Sequence, residues 1–435
     1  MSRSPIALPA VARLVALLLM ASAPALAADV IVVDAAGGGD ATSIGAGINL
    51  ASDGDVVLVR PGVYNGLFLS FGITGKSLTV VGDTAGGGEV VAPGLTIFDL
   101  PADGLVVVRG VTLEPHPNST IGRNILVDDC AGLVLLQDVE SVGLAGHPGF
   151  FPAVEPGFTS LRAIGSDAVV AVDCTFEGGM GFDTEPGETS AGSAGQGLFV
   201  STGNLALYGC DVRGGDGGSD LLHGNGGRPG AIGLSAASAY VYATGGSLAG
   251  GDAGDGGVFG QTHIGGSGGV GVLVSAQALV RVVDVTPMGG AGGLPDGGGV
   301  PGPDGADFVE DNGRVVDYAG AARRLELPAL LREGEAGTLG VSGVPGDLVG
   351  VFVSATGLGL PLSGPTGTFV PGEPLVGPFV FGPLPAGGQV DLLFSVPTLP
   401  GVDGLVLLAQ GYVLAQDGSE RLTNPSALAL VGAGF

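Results

Sequence analysis

The sequence predicts an all-β chain in two parts, a parallel β-helix of stacked coils followed by a β-sandwich. Three observations predict it. The first is one pattern written three times at an interval of 36 residues: AVVAVDCTFEGG (Ala168–Gly179), NLALYGCDVRGG (Asn204–Gly215) and YVYATGGSLAGG (Tyr240–Gly251). A fixed period of about 20–50 residues marks a repeat architecture. The second is glycine, 87 of 435 residues, set between short Val and Leu runs in a chain that is 45% hydrophobic. Disorder goes with low hydrophobicity, so this mixture reads as many short strands joined by glycine turns. The third is that strand-like text continues beyond Leu325 while the period stops.

Residues 1–27 read as a secretory signal, with Arg3 and Arg13 as the basic region, Leu14–Met20 as the apolar region and Ala25-Leu26-Ala27 as the cleavage site. The mature chain is expected to begin at Ala28 and to be exported, either secreted or held at the cell surface. No later apolar run has the ~20 residues of a membrane-spanning helix. Acidic groups number 42 against 15 basic, for a net charge of −27, and Lys76 is the only lysine. Such a surface repels nucleic acid and anionic lipid, so neither is an expected partner; it could attract divalent cations, and solubility in a salty or extracellular medium is the preferred reading of the charge. Three cysteines in an exported chain leave at least one unpaired. Cys174 and Cys210 fall one above the other in the repeat; a disulfide and a stacked pair of buried thiols both fit, and the thiol pair is preferred.

In chain order, Asp29–Asp34 is a strand, and Thr42–Ser52 a short amphipathic helix with Ile44, Ile48 and Ala51 on one face and Thr42 or Ser43 as its cap. Gly45 and Gly47 weaken that helix. Gly54–Tyr64 and Lys76–Gly82 follow as strands with turns. The text SIGAGINLASDGDVVLVRPGVYNG followed by GKSLTVVGD resembles the opening of right-handed, single-stranded parallel β-helix proteins of the pectin-lyase-like type. That resemblance implies a helix capping the first coil, and it covers closely only about the first 60 mature residues.

Alternation along Leu205–Val212 puts Leu205 and Leu207 on one face, with Gly209 as a bend and Cys210 and Val212 continuing the inward row. A bend at positive φ favours Gly, Asn or Asp. Gly82, Gly110, Asp173, Gly209 and Gly245 occupy that place, whereas Leu133–Val142 fits the pattern poorly. Three short strands and their turns need roughly 22–25 residues per coil, so a period of 36 leaves about a dozen for a glycine-rich loop after each GG. These loops are expected in a column on one side. The β-helix is bounded at 28–316, a linker at 317–324 and the sandwich at 325–435. The last part resembles a C-terminal β-sandwich module of secreted bacterial proteins.

Catalytic motifs of the pectin-lyase-like enzymes are missing from the text. Asp128-Asp129 and Gly146-His147-Pro148 are present without the remaining elements of a polygalacturonase-like set, and no lyase motif surrounds Arg162, Arg213 or Arg281. Neighbouring Asp128 and Asp129 point to opposite faces of a strand, poor geometry for paired carboxylates. His116, His147, His223 and His263 lack ligand spacing. GGDAGDGGV (Gly250–Val258) partly matches a calcium-binding nonapeptide, which makes Asp216, Asp252 and Asp255 the candidate calcium ligands; flexible solvated loops are the competing reading. With no tryptophan, sugar stacking falls to Tyr208, Tyr240 and Tyr242, which share one column and would equally hold coils together. The terminal Phe435 invites an outer-membrane barrel, but the closing strands are too short for one. The functional expectation is a non-catalytic extracellular protein, adhesive, structural or glycan-interacting, that meets a polysaccharide or cell-surface component through its loop column. The alternative is a divergent polysaccharide-active enzyme, a lyase or glycoside hydrolase, on the same scaffold.

Overall fold

The computed structural model describes residues 28–64, 70–115, 123–146, 157–184, 191–220, 226–257, 264–295, 299–364, 366–396 and 403–435. Residues 1–27, expected to be a secretory signal, and all four histidines lie outside these residues. The fold is all-β with large parallel sheets, compatible with the β-helix expected from the repeat.

Two parallel sheets are built alternately along the chain. The longer runs in the order Val30–Val33, Val56–Val59, Leu78–Gly82, Leu105–Leu113, Leu133–Val142, Ala168–Val172, Asn204–Arg213, Tyr240–Ala249, Leu279–Val283 and Arg314–Tyr318. The shorter runs from Phe71–Thr74 through Leu95–Phe98, Arg123–Asp128, Thr159–Ile164, Leu198–Ser201, Leu234–Ala237 and Val272–Ser275 to Phe308–Asp311. One strand of each makes a repeat, and registers follow the sequence period: Leu205 pairs with Val169 behind it and Val241 ahead. Leu205, Leu207, Cys210 and Val212 all enter the main core, as the alternation requires. All three cysteines are buried free thiols. Burial pushes the Cys174 thiol well up, and its neighbour Cys210 adds to the shift.

The helix spans Ile44–Leu50, with the Ser43 hydroxyl accepting the Ala46 amide at 3.3 Å. It closes the first repeat, burying Ile44 and Ile48 against the main core. Gly47, a weakness by propensity, is what lets the helix approach, since an added Cβ there would lie 2.4 Å from a Val33 methyl. Lys76 finishes the helix by donating to the Ile48 and Ala51 carbonyls at 2.6 and 2.8 Å.

The bend column is confirmed in most places and corrected in two. Gly110, Asp173, Gly209 and Gly245 take φ of 68°, 51°, 63° and 65°. Leu133–Val142 belongs to the series after all: Gln137 pairs with Arg109 and Val139 with Val111, which sets Asp138 opposite Gly110 at φ 53°. Its copy was hidden because Leu133 pairs with Ala168, one residue short of the 36-residue period. Gly82 is not left-handed; it is glycine because a Cβ would meet the Gly110 carbonyl oxygen at 2.3 Å.

Antiparallel strand ladders begin at Arg324. A three-stranded sheet (Arg324–Glu326, Ala336–Ser342, Gln389–Ser395) faces a mostly antiparallel five-stranded one (Leu330–Arg332, Glu420–Val431, Leu405–Leu414, Leu348–Ser354, Val376–Pro383) across a core that includes Leu325, Val341, Val351, Val413 and Leu430. This region lies against the outer face of the longer parallel sheet. Leu135, Val170, Val172, Ala206, Tyr208 and Tyr242 share one cluster with Val370, Leu408 and Ala427. Runs such as AVVAV and LVLL are therefore apolar at consecutive positions because each face of the sheet is covered, the reason parallel strands lose their alternation.

Candidate functional site

The glycine loops form an ordered lattice of extended arms. Each arm is neither helix nor strand, yet its hydrogen bonds cycle every three residues, the period of a threefold extended helix. In the arm leaving Arg213, Gly214 and Gly217 donate to the Ala249 and Asp252 carbonyls of the next repeat at 2.9 and 2.8 Å. Gly215 and Gly218 donate to Gly195 and Gly192 on the preceding return arm at 2.9 and 3.2 Å. The following repeat does the same, with Gly250 and Ala253 reaching Met288 and Ala291, and Gly251 and Gly254 reaching Ala231 and Arg228. Arms packed this closely leave no room for side chains: a Cβ on Gly218 would sit 1.9 Å from the Phe182 carbonyl oxygen, and one on Gly254 2.1 Å from that of Gly218.

The third residue of a triplet points its amide out of the lattice, where an Asp or Ser side-chain oxygen of the preceding repeat accepts it. Asp252 N–H donates to Asp216 Oδ1 and Ala291 N–H to Asp252 Oδ1, both at 2.7 Å. A parallel ladder runs from Asp183 to the Ser219 amide (2.7 Å), from Ser219 Oγ to the Asp255 amide (3.1 Å) and from Asp255 Oδ1 to the Leu294 amide (2.7 Å). The expected calcium ligands Asp216, Asp252 and Asp255 thus stand spaced along one face, each accepting a main-chain amide of the next repeat. Among the described residues no group of three or more His, Cys, Asp or Glu stands close enough to hold a metal ion. Arg213 ties the ladder together, reaching Glu177 (3.2 Å), Asp216 (2.6 Å) and Asp252 (3.3 Å) across three repeats. The sequence signal for this lattice was the triplet GGx, as in GGDGGS and GGAGGL; reading nine residues at a time concealed it.

A second polar region follows the bend column. Residues 317–324, expected as a linker, are strand at both ends, and the chain beyond them runs back along the repeats. Ala322 N–H donates to Asp284 Oδ2 at 2.8 Å, and Arg324 Nη2 to Asp173 Oδ1 at 2.5 Å. Arg109 donates to Asp138 (2.8 Å) and to the Leu327 (2.8 Å), Pro328 (3.2 Å) and Ala427 carbonyls. Arg332 meets Asp83 at 2.7 Å, where Arg60 also binds. The eleven residues from Ala322 to Arg332 could reach about 33 Å if fully extended, enough to cover six strand spacings of about 4.8 Å, or about 29 Å. Aspartate at the bends therefore does two things: it tolerates positive φ, and it grips this strap.

Between strap and sheet lies a cleft of about 420 Å³ lined by Arg109, Asp138, Asp173, Thr175, Asp211 and Glu326, among others. Burial raises the Asp173 carboxyl, an effect that Arg324 opposes and Asp138 reinforces. Asp128 ends its strand and Asp129 turns the corner at φ 50°, so the two do not form a pair. Tyr208 and Tyr242 are 2% and 1% exposed, beneath the C-terminal region rather than on a sugar-facing surface. Tyr208 Oη accepts the Thr368 amide at 2.9 Å, and Arg281 covers the Tyr240 ring at 5.0 Å and donates to its hydroxyl at 2.9 Å. Arg162 stacks over Phe199 at 5.3 Å. No helix of the described residues is long and apolar enough to cross a membrane.

No protein-family model matches the chain, and no curated protein matches it. Among solved structures, the sporulation control protein Spo0M from Bacillus subtilis is similar over 26% of this chain and 50% of its own, with 13% identity and a TM-score of 0.16. The match thus spans half the length of that protein, and at this score it supports no conclusion about fold or function.

Proposed function

We propose that this chain is an exported, non-catalytic contact protein: a right-handed parallel β-helix of the pectin-lyase-like type over 28–316, braced by a β-sandwich over 325–435. Its partner is a polysaccharide or another cell-surface component, met by the face of the glycine lattice. The observation that carries this reading is the pair of side-chain ladders, which hold Asp183, Asp216, Asp252 and Asp255 by hydrogen bonds along one face. A face already ordered loses little entropy on binding an extended polymer. The test is to incubate the protein with uronic-acid and neutral polysaccharides, following both retention on the immobilised polymer and product formation. Retention without new reducing ends or unsaturated products is expected. Weakening of that retention by Asp216→Ala with Asp252→Ala would place it on the lattice, and turnover of any polymer would overturn the reading.

The alternative, a divergent polysaccharide-active enzyme, is favoured by one observation. Asp138 and Asp173 sit on adjacent strands in one cleft, with Asp173 pushed toward its protonated form. Their backbones are one strand spacing of about 4.8 Å apart, which leaves room for the carboxyl separation of about 5–5.5 Å that a retaining glycosidase pair needs. If products form, Asp138→Asn and Asp173→Asn should each abolish them.

A further inference from the structure

We infer that the strand Gln389–Ser395 is a pairing edge, at which two copies of this chain join antiparallel. It is the outer strand of the three-stranded sheet and pairs with Ala336–Ser342 on one side only. Gly343 N–H donates to the Gly388 carbonyl and Val396 N–H to that of Glu335, both at 2.9 Å, and these bonds bracket the ladder. Bonded and non-bonded pairs alternate along antiparallel strands, so Val390, Leu392 and Phe394 spend their main-chain groups on the neighbour. Gln389, Asp391, Leu393 and Ser395 turn theirs to the open edge. Other edges of the molecule are guarded. The Val32 amide is taken by Asp40 Oδ2 at 2.8 Å, that of Val315 by Glu310 Oε1 at 2.7 Å, and that of Arg332 by Glu335 Oε2 at 2.8 Å. Val376–Pro383 carries Pro378 and Pro383. Charge and proline are how edge strands are kept from pairing with other chains. Gln389–Ser395 has no proline, no register shift and a single charge, Asp391.

The side chains of the strand select a second copy as its occupant. Antiparallel alignment of the two edges sets each outward amide opposite a carbonyl of the other strand. Centred on Leu393, the strand also matches itself in side chains. On the solvent face Leu393, 70% exposed, meets Leu393 of the other copy, and Asp391 meets Ser395, an acid opposite a hydroxyl. On the core face Leu392 meets Phe394 and Val390 meets Val396, so the half-buried Val390, Leu392 and Phe394 at the open side of each sandwich gain apolar cover. Centring on Asp391 would set two carboxylates against each other. Each copy carries a net charge of −27, yet Asp391 is the one charge each strand brings to the seam. The repulsion between copies is therefore the long-range kind that salt screens. Each edge is consumed by the other in a twofold contact, so association stops at two.

The experiment is light scattering on the full chain from Ala28 across a hundredfold range of concentration, at low and high salt, with melting followed in parallel. Wild type is expected to pass from the monomer mass to twice that mass as concentration rises, and to do so earlier in high salt. Leu393→Lys alters a side chain that is 70% exposed, so it is expected to keep the monomer mass throughout with an unchanged melt. Ser395→Lys sets a lysine opposite Asp391 of the other copy and is expected to lower the concentration of half-association severalfold, as opposite charges across a strand pair do. Ser395→Asp is expected to raise it. A wild type that stays monomeric, leaving the edge to some other strand, would overturn the inference. So would a dimer that Leu393→Lys does not dissociate, or one indifferent to the charge placed at Ser395.

Discussion

Arg109 shows at the scale of one residue how the two regions are held together. Its side chain is 8% exposed, and its guanidinium serves one carboxylate and three carbonyls. The Asp138 side chain is 43% exposed and keeps its water, so Arg109→Ala acts through the carbonyls it leaves unmet; a buried acceptor without its partner costs about 1–3 kcal/mol, and chemical denaturation should read a loss of that order. Asp173 behaves differently, because burial holds its carboxyl above the ordinary 3.8 despite Arg324. The folded chain therefore binds that proton more tightly than the unfolded chain, and stability from this group grows as pH falls toward 3.8. The melting temperature of wild type minus that of Asp173→Asn should increase from pH 7 to pH 4. A difference that shrinks would mean the Arg324 pair outweighs the burial. Neither role was legible from the sequence. Arg109 was one basic residue in a strand, and Asp173 was readable as a bend residue but not as a grip for a segment 151 residues away.

Among the elements, the strands were far easier to read than the arms. Period-2 alternation and the 36-residue repeat predicted which of Leu205, Leu207, Cys210 and Val212 face inward, because the sheet geometry acts on every residue in turn. The arms bury main chain against main chain, so their signal is the absence of side chains, and glycine is easily mistaken for flexibility. Two glycines separate these meanings. Gly45→Ala, in the helix with nothing within 4 Å of the new methyl, should stabilise the protein by about 0.4–1 kcal/mol. Gly254→Ala, whose methyl would meet the Gly218 carbonyl oxygen, should cost about 1–3 kcal/mol as overpacking does. Thermal melts of the two variants should shift in opposite directions.

For the whole molecule, the lateral position of the C-terminal region explains why so many strands are apolar on both faces. That much was readable in AVVAV and LVLL, but what covers the second face was not, because no local pattern names a partner more than 150 residues away. A chain ending after Tyr318 would expose Leu135, Val170, Val172, Tyr208 and Tyr242 together. A contiguous apolar surface of that kind drives association, so the truncated protein should aggregate in light scattering at concentrations where the full chain stays clear. A soluble truncation with an unchanged melt would show that the parallel sheets do not need their cover.

The three-residue cycle of the arms also constrains how their length can change. Surface loops ordinarily accept insertions of any size. Here one added residue would rotate every later glycine of that arm out of its contact and turn an aspartate into the space between arms. Three added residues would restore the phase and lengthen the face by one further rung. Arm length in this protein is therefore quantised, and the loops, rather than the strands, should be where single-residue insertions do most harm.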